Sequence, residues 1–190
     1  MRAEISRAAG PAIARIARVD GLPALAAPLE RIALRRRDAY GAGGFGASRD
    51  GGRRRHLGID LVANPGEPIV SPASGALVVF DPYRSLAAKR GRLSAIQLVT
   101  DDGFVVRLLY VEAVAPLRAS GARVAVGQAI GVADNLSKIY PPTAAGPMTN
   151  HVHLDIQRGR VWRRGDAAAY LDPTPLVAAW ALVASGDAGA

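Results

Sequence analysis

The 190-residue chain has no cysteine, few aromatics and only three histidines. Without cysteine there are no disulfides and no thiolate metal ligands, so any zinc must be held by His, Asp or Glu. Aromatic side chains do not alternate with the basic runs, which argues against a stacking surface for a specific nucleic acid. Nowhere is there a run of roughly 18 apolar residues, the length a membrane-spanning helix needs. The longest apolar stretch, "PLVAAWALVA", reads instead as a small helix docked on a core. Nor does the N-terminus read as a secretory signal. Arg15, Arg18 and Asp20 break up its apolar residues, and Pro23 and Pro28 interrupt the next stretch.

What is present points to one β-rich domain. The length is enough to bury a real hydrophobic core, and 21 Gly with 13 Pro favour many turns over long helices. The net charge of +8 implies affinity for polyanions, among them nucleic acid, anionic lipid and acidic wall polymers, without choosing among them. Much of that charge lies in Arg35-Arg36-Arg37 and Arg53-Arg54-Arg55, each read most simply as a solvated rim around a loop.

Three parts are expected. Residues 1–30 are Ala- and Arg-rich, with at most a short amphipathic helix after Pro11 built on Ile5, Ile13 and Ile16. Residues 31–165 carry the strand signals "LGIDLV", "PIVS", "GALVVF", "SAIQLVT", "FVVRLLYVE", "AIGVA" and "VHLDIQ", all rich in β-branched residues. Asp101-Asp102-Gly103 is a hairpin signal between two of them. Residues 166–190 are Ala-rich and expected to be helical before a frayed "SGDAGA" tail. The expected fold class is mainly β, a compact antiparallel domain, and function is to be sought in its middle part.

The histidines fall in two short segments, "HLGID" and "HVHLD". On a strand His151 and His153 project from the same side, roughly 6.5–7 Å apart along the backbone. Two ligands of one tetrahedral zinc need donor atoms on the order of 3.3 Å apart. Long side chains can converge across that gap. Equally, one histidine can bind metal while its neighbour reaches substrate or water. His56 and Asp60 would lie about 13 Å apart on a straight strand, so that segment must bend, and Gly58 is the residue that permits it. The result is a candidate zinc site made of His56, Asp60 and one histidine of the pair. Three ligands with a fourth position open is the pattern of catalytic zinc, which acidifies water and polarises a carbonyl.

His56-x-x-x-Asp60, followed by "GEPIVSPASGALVVF", "GARVAVGQAIG" and His151-x-His153, resembles the lysostaphin-type (LytM-type) zinc metallopeptidases. The approach "GFGASRDGGRRRHLGIDLV", with Phe45-Gly46 ahead of the basic loop, fits as well, and the likeness covers roughly residues 31–160. It implies a duplicated hybrid motif fold with the site in a groove flanked by loops. It assigns Zn2+ to His56, Asp60 and His153, and makes His151 the proton-handling residue. It implies an endopeptidase acting on peptide cross-links or stems of bacterial peptidoglycan, with anionic wall polymers as further partners. The implied location is the bacterial cell envelope or outside the cell; with no clear signal peptide, a phage-type lysin that stays cytoplasmic until release is one route. Asp155 would either orient a ligand or face solvent at a strand end.

One departure stands out. The family's second catalytic histidine sits in a Tyr-x-His segment, which here reads Tyr110-Val111-Glu112. An ionised glutamate cannot donate to an oxyanion, but it can act as a general base or hold His151 in a useful tautomer. Glu112 is therefore expected to line the site. The competing expectation is a non-catalytic wall-binding or hydrolase-regulating module of the same fold.

Overall fold

Alternating Val, Ile and Leu side chains bury on one face only when the backbone is extended, and the β-branched runs accordingly form strands. The computed structural model describes residues 15–118 and 121–185. The early strands are β1 (Ile16–Ala17), β2 (Leu25–Ala26), β3 (Ser48–Arg49), β4 (Arg54–Arg55) and β5 (Ile59–Val62). The middle ones are β6 (Pro68–Val70), β7 (Gly75–Phe80), β8 (Ala95–Thr100), β9 (Phe104–Leu109) and β10 (Val111–Ala113). Last come β11 (Ala122–Val124), β12 (Ala129–Ala133), β13 (His151–Arg158) and β14 (Tyr170–Leu171), then helix α1 (Thr174–Ser185). Among the described residues no helix is long and apolar enough to cross a membrane.

The main sheet runs β11-β7-β8-β9-β13, antiparallel throughout. On its free side β13 pairs with β5 at residues 151–154 and with β14 at Ile156 and Gln157. A smaller antiparallel sheet has the order β10-β12-β6. Val152, Leu154 and Ile156 are fully buried in the core, together with Ile59 and Leu61 of β5 and Val106 and Leu108 of β9. Strand alternation then sends His151, His153 and Asp155, with Asp60 and Arg107, to the opposite face. The hydrophobic pattern thereby fixes which polar residues meet.

The described part of the N-terminal segment packs on the core. Ala17, Leu25, Ala27 and Leu29 join the core, and Nε1 of buried Trp180 donates to the Leu25 carbonyl at 2.8 Å. The helix expected after Pro11 falls largely outside the described residues, and Ile16, one of its expected residues, is extended. The expected C-terminal helix is α1, which buries Leu176 and Trp180; the tail after Ser185 lies outside the described residues. "FVVRLLYVE" is not one strand. Tyr110 takes a positive φ of 70° and divides it into β9 and β10, which belong to different sheets.

Candidate metal centre and its groove

His153 lies directly across from Asp60 in the β13–β5 register, and His56 leads into β5 through Leu57 and Gly58. Nε2 of His56, Oδ1 of Asp60 and Nδ1 of His153 converge: the nitrogens are 2.9 Å apart, and the oxygen is 3.1 Å from the first and 3.0 Å from the second. These separations are close to the edge of a tetrahedron with bonds of about 2.0–2.1 Å. Nε2 of His151 is 3.5 Å from the same Asp60 oxygen. The structure thus brings together His56, Asp60, His151 and His153.

Hydrogen bonds on the outer side of each ring set the tautomers. A carbonyl only accepts, so Nδ1–H of His56 donates to Gly44 O at 2.8 Å and Nδ1–H of His151 to Thr149 O at 2.7 Å. Nε2–H of His153 points at Oδ2 of Asp155, 3.3 Å away. In their neutral forms all three rings therefore turn a bare nitrogen toward Asp60. Two bare nitrogens 2.9 Å apart beside a carboxylate call for a cation between them, and this donor set fits zinc.

Without a metal a proton takes that place. Burial disfavours a charged His153, but the carboxylates of Asp155 and Asp60 outweigh it and raise the pKa to about 9. For His151 burial prevails, and the pKa falls to about 4 despite the field of Asp60. Burial also opposes ionisation of Asp60. The His153 and His56 rings against it, with the field of His151, nevertheless hold it far below the usual carboxylate range.

The carboxylates are themselves fixed. Oδ2 of Asp60 accepts from Nε of Arg35 at 3.2 Å and Nη2 at 2.9 Å, with Arg49 at 3.5 Å, so Oδ1 is the oxygen left for a metal. Arg35 is buried and anchored by Asp38 at 2.6 Å. Its run is thus not wholly a solvated rim: Arg36 and Arg37 are exposed, and Arg35 is part of the site. Asp155 is fully buried rather than solvent-facing, and Arg107, its cross-strand partner, grips it at 2.9 and 2.5 Å. The Arg107 guanidinium in turn stacks on Trp162 at 3.9 Å.

Gly58 is required for space. A Cβ there would stand 2.4 Å from the Leu154 carbonyl oxygen and 2.7 Å from Cε1 of His153. The ring of His153 lies over the bare backbone that a side chain would occupy.

Glu112 is not brought into this groove. On β10 Val111 and Ala113 are buried, so alternation turns Glu112 outward, where it is half-exposed and 3.3 Å from Arg118. Its carboxylate lines a separate depression with Ser94, Arg118 and Lys138. The side chain beside His151 is Tyr110, its ring edge-on at 5.4 Å between centroids. The Tyr110 hydroxyl lies 3.0 Å from that of Tyr83, which also bonds the Tyr140 hydroxyl. All five tyrosines of the chain line the groove. Scattered singly along the sequence, they gave no periodic signal; separate loops, the kink at Tyr110 and β14 bring them together.

No protein-family model matches the chain. It is 30% identical over 123 residues to mouse (Mus musculus) leukocyte cell-derived chemotaxin-2, covering 64% of this chain and 72% of that protein. It is 29% identical over 119 residues to chicken (Gallus gallus) myeloid protein 1, 62% of this chain but only 33% of that protein. Among solved structures it resembles the catalytic domain of the antimicrobial peptidase lysostaphin from Staphylococcus simulans, with a TM-score of 0.50 and 20% identity, over 73% of this chain and 91% of that one. The structure of LytU is similar at a TM-score of 0.50 and 22% identity, over 74% and 85%. The β-rich fold is that of lysostaphin, with a His-Asp-His set able to hold a metal ion in its groove. The chain belongs to the lysostaphin-type (LytM-type) family.

Proposed function

We propose that the protein is a zinc-dependent endopeptidase that hydrolyses peptide cross-links or stems of bacterial peptidoglycan in the cell envelope or outside the cell. The observation that carries this reading is the convergence of His56, Asp60 and His153 beside an unprotonated Nε2 of His151. A zinc ion held by those three residues would supply Lewis-acid chemistry, polarising a carbonyl and acidifying water. The chain's own residues do the rest. His151 is kept neutral by burial and has its Nδ1–H tied to Thr149, so Nε2 is free to take a proton from the attacking water and pass it to the leaving amine. Arg35 and Asp155 hold Asp60 and His153 in place, so little ordering remains to be done when a peptide binds. The net charge of +8 favours attachment to anionic wall polymers.

A second reading has two observations behind it. Glu112, in the family's position for a second catalytic histidine, faces away from the groove. The two animal relatives bear the names of a chemotaxin and a myeloid protein. Both favour a metal-bearing binding module of the same fold.

Digestion of purified sacculi by zinc-loaded protein, read by mass spectrometry, separates the two. The peptidase yields new peptide termini that disappear in His151→Ala while bound zinc stays equimolar. Full zinc occupancy without cleavage across several wall chemistries supports the binding module instead. Attachment to sacculi that does not weaken as salt rises would remove the role given to net charge.

A further inference from the structure

The charges around the groove are mostly spoken for. Of its cations, Arg35 and Arg49 serve Asp60, Arg54 pairs with Asp50 at 2.5 Å, and Arg107 is bound to Asp155. Two lining cations, Arg55 and Lys89, have no acidic partner among the described residues. They come from different parts of the chain, Arg55 from β4 and Lys89 from the loop between β7 and β8. Arg55 is exposed, its Nη1 only loosely tethered to Gly46 O at 3.4 Å. Lys89 is held more firmly. Its ammonium sits 4.6 Å from the ring centroid of Tyr140 and 5.4 Å from that of Tyr83, two rings already linked through their hydroxyls.

An ammonium parked over two aromatic faces is localised by attraction to the rings yet keeps its N–H donors unspent. A guanidinium fork with no acid partner presents paired donors whose geometry matches a carboxylate. Among the described residues, the groove between them holds no acid that is not already paired with an arginine. Its unmet demand is thus for negative charge, at two points of a tyrosine-lined groove that also holds the metal centre.

We infer that Arg55 and Lys89 are specificity residues, selecting a peptide that carries a free carboxylate beside the bond presented to the metal centre. The inference rests on the reading that the groove takes a peptide, and it names which one. Peptides that keep such a carboxylate free are ligands; their amidated forms and uncharged peptides bind poorly.

The test is calorimetric titration of zinc-loaded, full-length protein with two synthetic stem peptides that differ only in whether that carboxylate is free or amidated. The same titrations in zinc-loaded His151→Ala give the affinities free of any heat from hydrolysis. The free acid is expected to bind about tenfold more tightly than the amide. Arg55→Gln and Lys89→Gln together should erase that preference, with zinc content unchanged. Equal affinity for acid and amide in the unaltered protein overturns the inference. So does a preference that survives the double substitution. A third overturning result is tighter binding of a teichoic-acid fragment that is lost in the same variant, since the occupant would then be a polyanion and no peptide. Tight binding of the acid without any cleavage would sink the peptidase reading and leave this inference standing.

Discussion

Asp155 faces Arg107 across the β13–β9 ladder, and one carboxylate satisfies the guanidinium on one side and the His153 ring on the other. The arrangement is buried, so its two functions separate by substitution. Asp155→Ala strands a buried arginine without a counter-charge and should cost about 3–5 kcal/mol, visible as a large drop in melting temperature. Asp155→Asn keeps the shape but replaces the acceptor of His153 Nε2–H. Zinc affinity should fall by about 10–100-fold, measured by competition with a chromophoric chelator. Unchanged affinity in the asparagine variant would show that Asp155 does not orient the ring.

Gly58 makes a sharper claim about space. Gly58→Ala drives a methyl group into the Leu154 carbonyl and the His153 ring. Backbone and ligand must both move, at a cost of about 1–3 kcal/mol. Zinc binding should be lost at temperatures where the fold persists. Gly44→Ala is the control, because a Cβ there meets nothing within 4 Å. Equal zinc affinity in the two variants would contradict the packing of His153 over Gly58.

Glu112 provides the opposite case. Its half-exposed pair with Arg118 is worth little, because two flexible side chains are ordered in water for a screened attraction. Glu112→Ala should leave stability within about 0.5 kcal/mol and should change neither zinc content nor any cleavage of sacculi. Tyr110→Phe removes a hydroxyl bonded to Tyr83 beside His151 and is expected to lower cleavage with zinc content preserved. Loss of cleavage in Glu112→Ala with Tyr110→Phe fully active would reverse these assignments.

These cases mark what residue patterns convey. Seven β-branched runs were legible as strands because burial of alternate side chains imposes a period of two. The same period put His151, His153 and Asp155 on one face, so the meeting of the two histidines with Asp60 needed only the right neighbour strand. Glu112 failed for a local reason: Tyr110 adopts a positive φ, which few non-glycine residues do, and the face that alternation assigns changes at that point. Arg35 was missed because a run of three arginines looks solvated, and nothing in composition says that one of them turns inward to a carboxylate 25 positions away. Short β11, Ala122–Val124, carries too little apolar pattern to be read as a strand.

The last prediction concerns pH. In the metal-free protein the carboxylates of Asp155 and Asp60 overcome burial and hold His153 at a pKa of about 9, against about 6.5 in an unfolded chain. A raised folded-state pKa means the native state binds this proton more tightly. Its stabilisation is complete below about pH 6.5 and is lost as pH rises through about 9. His151 has the opposite sign: its pKa of about 4 means stability is present above about 6.5 and lost as pH falls through about 4. Zinc must displace the His153 proton from Nδ1, so apparent affinity should climb about tenfold per unit across neutral pH and level off near 9. Melting curves of chelator-treated and zinc-loaded protein across that range read both effects. The metal-free protein should lose stability toward pH 9 while the increment from zinc grows. An affinity that stays flat over this interval would mean that no proton occupies the space among His56, Asp60 and His153, and that the three donors do not share one cation.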